Sequence, residues 1–136
     1  MIKRKYCAVV TGATRGIGYS IAERLLLDGL DVIGTGTHQD GECPSGTDYY
    51  AVDFLDKNSV DDFIKFIKKR KIDILINNAG INKLGEFASI RISDFDEILQ
   101  VNLRTPFQLC QAVIPNMMEN NWGRIVNLTS IFGNIS

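Results

Sequence analysis

The sequence is poor in the residues from which disulfide scaffolds, metal centres and strongly charged surfaces are made. Its three cysteines, Cys7, Cys43 and Cys110, are an odd number and include no C-x-x-C pair. Neither a disulfide framework nor a zinc cluster is indicated, no metal ligands are assigned, and reduced thiols in a cytoplasmic protein are expected. A dominant charge is missing too: 15 lysines and arginines stand against 16 aspartates and glutamates, a formal net charge of −1. That balance argues against a nucleic acid or an anionic membrane as partner, so any phosphate is expected to be met locally. Met1-Ile2-Lys3-Arg4-Lys5 has the charge of a signal-peptide start, but Thr11-Gly12 soon breaks the apolar stretch behind it. No later run approaches the roughly 20 apolar residues of a membrane span.

What is present suits one α/β domain. A chain of 136 residues with 45% hydrophobic content is long enough for a sizeable core, and residues 1–136 show no repeat, low-complexity tract or linker. Tyr6–Val10 is a short β-prone run that meets the glycine-rich Thr11–Gly18. Ile21, Leu25 and Leu26 then fall at helical spacing, Gly29 fits a helix stop, and Asp31–Thr35 is a second strand. Gly36–Asp48 reads as loop and Tyr49–Val52 as strand. Asn58 or Ser59 is expected to cap a helix bearing Val60, Phe63, Ile64 and Ile67, and Ile72–Ile76 is an almost wholly apolar strand. Ser93 is the expected cap of a long helix in which Pro106 predicts a kink or irregularity, and Arg124–Leu128 is a fifth strand. Phe63, Phe66, Phe95 and Phe107 are most simply core. Alternating strands and helices imply a doubly wound parallel sheet with helices on both faces.

Ligands in such sheets bind beyond the carboxyl ends of the strands. Gly12–Gly18, Gly34–Thr37, Asp53, Asn77–Gly80 and Ser130 all stand at those ends. Glycines at the first strand-to-helix turn let backbone approach a pyrophosphate, whose charge the N-terminus of the next helix favours. Gly12, Gly16 and Gly18 meet that need with the spacing T-G-x-x-x-G-x-G.

Thr11–Gly18, Asn77-Asn78-Ala79-Gly80, Asn102 within Val101-Asn102-Leu103, and Gly123–Ser130, taken in this order, resemble the classical short-chain dehydrogenase/reductase family. Within it, Val32–Thr37 looks most like bacterial 3-oxoacyl-[acyl-carrier-protein] reductases. The resemblance implies a Rossmann-like fold and hydride transfer between NADP(H) and a carbonyl/alcohol substrate, either a small molecule or carrier-bound. It implies that Gly12, Thr14, Arg15, Gly16, Ile17 and Gly18 hold the cofactor phosphates and ribose, that Asp53 and Phe54 meet the adenine, and that Asn78, Ala79 and Gly80 line the riboses. Asn102 would support a proton-relay water, and Ser130 would donate a hydrogen bond to the substrate oxygen. NAD(H) is the less expected cofactor, because Gly36-Thr37 stands where NAD-specific folds usually carry an acidic residue and Arg15 adds a positive charge. Asp40, a carboxylate close by in sequence, weighs the other way.

Plainer readings stand beside these. Asn78 can brace neighbouring strands as well as touch a cofactor. Arg124 reads as a solvated strand-start arginine, and His38, the single histidine, as a loop or cofactor-rim residue rather than a general base. The family's Y-x-x-x-K motif is missing: the chain ends at Ser136, and no lysine lies four places after Tyr6, Tyr19, Tyr49 or Tyr50. The expected explanation is a C-terminally incomplete stretch of an ordinary enzyme, inactive by itself. The alternative is a short, non-catalytic nucleotide-binding or protein-interaction domain. The resemblance also implies pairing through the long helix that follows Asn77–Gly80, where Phe107, Leu109, Val113, Met117 and Met118 offer more apolar surface than one sheet face needs, so the complete protein is expected to be a homo-oligomer.

Overall fold

The computed structural model describes residues 5–130. Five parallel strands form one sheet in the order β3-β2-β1-β4-β5: β1 Cys7–Val10, β2 Asp31–Gly36, β3 Asp48–Ala51, β4 Ile74–Asn77 and β5 Arg124–Asn127. The helices are α1 Gly16–Leu27, α2 Lys57–Lys68, α3 Ile92–Leu99 and α4 Thr105–Glu119. The order reverses at β1, which pairs with β2 on one side and β4 on the other. Among the described residues, no helix is long and apolar enough to cross a membrane.

Alternation along the central strands builds two cores. Val9, Ile33 and Leu75 enter the larger one with Val60, Phe63 and Ile67 of α2 and Leu109, Val113 and Met117 of α4. Their neighbours Val10, Val32 and Ile76 point the other way and pack with Ala22, Ile21 and Leu25 of α1. A residue shift of one therefore changes faces, as the period of a strand requires. β5 lies at a sheet edge, and its Val126 is 46% exposed.

Several local expectations are corrected. Neither Asn58 nor Ser59 caps α2: the Asp56 carboxylate accepts from the Asn58 N–H at 2.9 Å, and the Ser59 hydroxyl instead receives the Asp53 N–H. Ser93 does not cap α3, which begins at Ile92 with no side-chain cap. The irregularity associated with Pro106 falls ahead of it, as a π-helical turn over Gln100–Arg104 in which the Thr105 N–H reaches back to the Gln100 carbonyl. Proline has no N–H for the ordinary helical bond and its ring crowds the preceding turn, so the turn before it widens. Phe95 and Phe107 are not core but 50% and 61% exposed, whereas Phe63 is fully buried. Leu109, Val113 and Met117 are buried in the domain, leaving Phe107 and Met118 as the exposed members of the expected oligomer surface.

Candidate cofactor cleft

A cleft of about 670 Å³ opens at the carboxyl ends of the strands, beside the point where the strand order reverses. Its floor is the β1–α1 turn. Gly12 and Gly16 take φ values of +67° and +55°, which a side chain strongly disfavours. Gly18 faces a different restriction: a Cβ there would overlap the Gly12 carbonyl and the Asn78 amide. The glycines thus serve separate ends, two allowing the turn to bend and one letting the helix start sit against it.

The turn is held from both sides. Thr35 of β2 takes the Gly12 N–H on its hydroxyl at 3.2 Å and the Ala13 N–H on its carbonyl at 2.8 Å. From β4, the Asn78 side chain donates to the Thr11 and Gly12 carbonyls at 2.9 and 3.0 Å. The Thr11 hydroxyl in return receives the backbone N–H groups of Asn78 and Ala79, each at 3.0 Å. Asn78 is therefore a brace, and it lines the cleft as well.

The N-terminus of α1 opens into this space without a side-chain cap. Its first N–H groups have no intrahelical partners and carry the positive end of the helix dipole, so they suit an anionic group. A Cβ added to Gly16 would meet nothing within 4 Å, which leaves room for such a group close to the backbone. Arg15 is exposed at the same place, and its guanidinium makes no hydrogen bond or ion pair with another described residue. Donor set and space both fit a dinucleotide phosphate.

The residues expected to bind cofactor, Gly12, Thr14, Arg15, Gly16, Ile17, Gly18, Thr37, Asp53, Phe54, Asn78, Ala79 and Gly80, all line this cleft. Their manner of doing so differs. The Asp53 carboxylate accepts the Leu55 N–H at 2.9 Å in a local turn. The Phe54 ring is buried against Phe63, and its carbonyl accepts from the Gln100 side chain at 3.2 Å, so little of this residue is exposed to the cleft. Asp40 is not among the lining residues, whereas His38 is. Sequence reasoning did not single out Gly41, Tyr49, Leu55, Ile81 or Val101, which also line the cleft. Tyr49 reads as a strand residue in the sequence, and only the fold of the preceding loop brings its phenol to the site.

The two residues expected to act on substrate are not themselves lining residues, but Asn102 is bonded to one that is, Ile81. Asn102, in the π-helical turn, bonds both backbone polar atoms of Ile81. Ser130 is exposed beyond the carboxyl end of β5, on the same edge of the sheet. Arg124 is solvated at the opposite end of β5 and lies over the Trp122 ring at 4.9 Å. Among the described residues, no group of three or more His, Cys, Asp or Glu side chains is placed to hold a metal ion.

The sequence profile of the family described as short chain dehydrogenase matches residues 6–136. The chain belongs to that family. Among curated short-chain dehydrogenase relatives, it is 37% identical to the 3-oxoacyl-[acyl-carrier-protein] reductase FabG of Haemophilus influenzae, over 93% of this chain and 55% of that protein. It is 35% identical to the FabG of Buchnera aphidicola subsp. Acyrthosiphon pisum, over 91% of this chain and 54% of the relative. The chain thus spans about half the length of the curated relatives it matches. A short-chain dehydrogenase from Streptomyces avermitilis superposes with a TM-score of 0.88 at 28% identity, covering 100% of this chain and 53% of that one. A metagenomic short-chain oxidoreductase solved in complex with NADP gives 0.81 at 29% identity, covering 94% and 62%.

Proposed function

We propose that the whole protein is an NADP(H)-dependent oxidoreductase that reduces a carbonyl, with 3-oxoacyl groups on an acyl carrier protein as the substrate class. The observation that carries this reading is the cleft itself: an uncapped helix N-terminus, an Arg15 whose guanidinium has no partner among the described residues, and Thr37 rather than a carboxylate at the end of β2. A 2′-phosphate gains from a cation and a hydroxyl and is repelled by the carboxylate that suits a free 2′-hydroxyl. The relatives named as 3-oxoacyl reductases support the substrate class.

The nicotinamide cofactor supplies the hydride when bound. The chain's own part is to hold the phosphates at Gly12–Gly18, to seat the riboses against Asn78–Gly80, and to present Ser130 as a donor to the substrate oxygen. A serine hydroxyl polarises a carbonyl but is too weak an acid to supply the proton at neutral pH. The 136 residues alone therefore bind cofactor without turnover, and a tyrosine–lysine pair downstream completes the site. The protein acts in the cytoplasm and assembles with copies of itself through α3 and α4.

Titration of the whole protein with NADPH and with NADH tests the reading. Tighter binding of NADPH, narrowed by Arg15→Ala by about tenfold as loss of a charge-assisted hydrogen bond implies, is the expected result. Equal affinities in the parent, or an unchanged preference in the variant, refute it.

A further inference from the structure

The loop between β2 and β3 is folded back over the sheet, and the reason lies in two glycines. Gly34 and Gly36 share one face of β2 and leave it bare. A Cβ on Gly34 would stand 2.8 Å from the Thr47 methyl and 3.0 Å from the Cys43 sulfur, and one on Gly36 would stand 2.5 Å from the Thr14 methyl and 2.8 Å from the Tyr49 hydroxyl. The trough is filled by the loop and by Tyr49. Tyr49 and Tyr50 point to opposite sides of β3: Tyr50 packs on Phe63 and Phe66 in the large core, and Tyr49 reaches across the end of β2.

There the Tyr49 hydroxyl donates to the His38 carbonyl, which also receives the Gly41 N–H at 3.2 Å. One acceptor thus ties the phenol to both ends of the His38–Gly41 turn. Gly41 has no side chain because the phenol occupies the place: a Cβ there would overlap the Tyr49 oxygen. Thr37 immediately precedes this turn, and Thr37, His38, Gly41 and Tyr49 all line the cleft that Arg15 enters. Dinucleotide folds meet the ribose 2′ position at this end of the second strand.

We propose that Tyr49 is the positioning residue for 2′-phosphate discrimination: by pinning the His38–Gly41 turn against the glycine-rich turn, it holds Thr37 where a 2′-phosphate is gripped between it and Arg15. This inference rests on the NADP(H) reading. Adenosine 2′,5′-bisphosphate and 5′-AMP differ only in that phosphate, so their affinities for the whole protein separate the two questions. The parent should bind the bisphosphate more tightly. In Tyr49→Phe, which keeps the ring and removes the hydrogen bond, the bisphosphate should weaken about three- to tenfold while 5′-AMP changes by no more than about twofold. Gly41→Ala, which displaces the phenol without altering it, should show the same selective loss. Unchanged affinities in both variants, or equal losses for the two ligands, overturn the role of Tyr49 while leaving the cofactor reading intact. A parent that does not distinguish the ligands overturns the cofactor reading and this inference together.

Discussion

Asn102 holds Ile81 by both of its backbone polar atoms: its side-chain oxygen accepts the Ile81 N–H at 2.9 Å, and its side-chain nitrogen donates to the Ile81 carbonyl at 2.8 Å. The pair of bonds imitates one rung of a sheet ladder, with an amide side chain in place of the partner strand. It joins the segment leaving β4, just after Gly80, to the π-helical turn whose widening sets Asn102 facing it.

Removing that rung should loosen the segment without unfolding the domain. Asn102→Ala is expected to cost about 1 kcal/mol, since each exposed bond contributes little net. The local effect should be larger: hydrogen exchange at the Ile81 amide should accelerate by about tenfold or more, while the β1 amides keep their protection. Uniform acceleration across the domain would show that the clamp is part of global stability instead.

The glycines of the first turn predict two different mutant phenotypes. Gly18→Ala places a methyl group into the Gly12 carbonyl and the Asn78 amide, both fixed by other bonds. It should destabilise by about 3 kcal/mol or more, as overpacking against backbone does. Gly16→Ala meets no atom and carries only the strain of φ +55°, about 1–2 kcal/mol. Thermal unfolding should rank the two in that order, and nucleotide affinity should fall in Gly16→Ala despite its milder destabilisation, because its methyl group enters the cleft. Equal thermal effects would be evidence against the close approach at Gly18.

Much of this architecture is readable from periodicity and turn chemistry. The alternation of Val9 with Val10 and of Ile33 with Val32 announces a sheet covered on both faces, and the glycine spacing locates the cleft. Helix starts were less readable, because a cap depends on which of several polar residues leaves the helical path: Asp56 does so ahead of Asn58 and Ser59. The exposure of Phe95 and Phe107 was hidden as well, since an apolar residue on an assembly surface has the same pattern as one in a core. Tyr49 is illegible in the sequence for a third reason. Its role depends on a loop folded over Gly34 and Gly36, a contact that spacing along the chain does not encode.

Alkaline pH should weaken the fold through Cys7. Burial, reinforced by the carboxylates of Asp31 and Asp73, pushes this thiol from 9.0 up to about 11. Between those values the unfolded chain releases the proton and the folded one keeps it. The stabilising contribution is therefore complete below about pH 9 and is lost as pH rises toward 11. Partial solvent access reduces the linkage to roughly 1–2 kcal/mol over that window. Denaturant titrations of the parent and Cys7→Ala at several pH values should differ in slope there, with the parent steeper. Parallel pH profiles would remove Cys7 as the cause.

Assembly is the prediction with the most exposed surface behind it. Along α3, the π-helical turn and α4, Ile92, Phe95, Leu99, Leu103, Phe107, Ile114 and Met118 are 75, 50, 38, 64, 61, 39 and 71% exposed. They recur at helical spacing, so the apolar side chains form a stripe rather than isolated exceptions, and stripes of that extent mark interaction surfaces. Closed symmetric pairing of two copies buries such a stripe against itself, placing each residue near the same helix of its neighbour. A single charge in the middle of the stripe then appears twice across a dry contact. Phe107→Asp should accordingly convert the whole protein to a smaller species by sedimentation, at concentrations where the parent is assembled, and should leave the helical circular dichroism signal unchanged because Phe107 does not enter either core. Ile17→Asp, which alters a similarly exposed apolar residue at the candidate cofactor cleft, should leave the assembly intact. A parent that sediments as a monomer across the accessible concentration range, or a Phe107→Asp protein of unchanged mass, would refute assembly through α3 and α4.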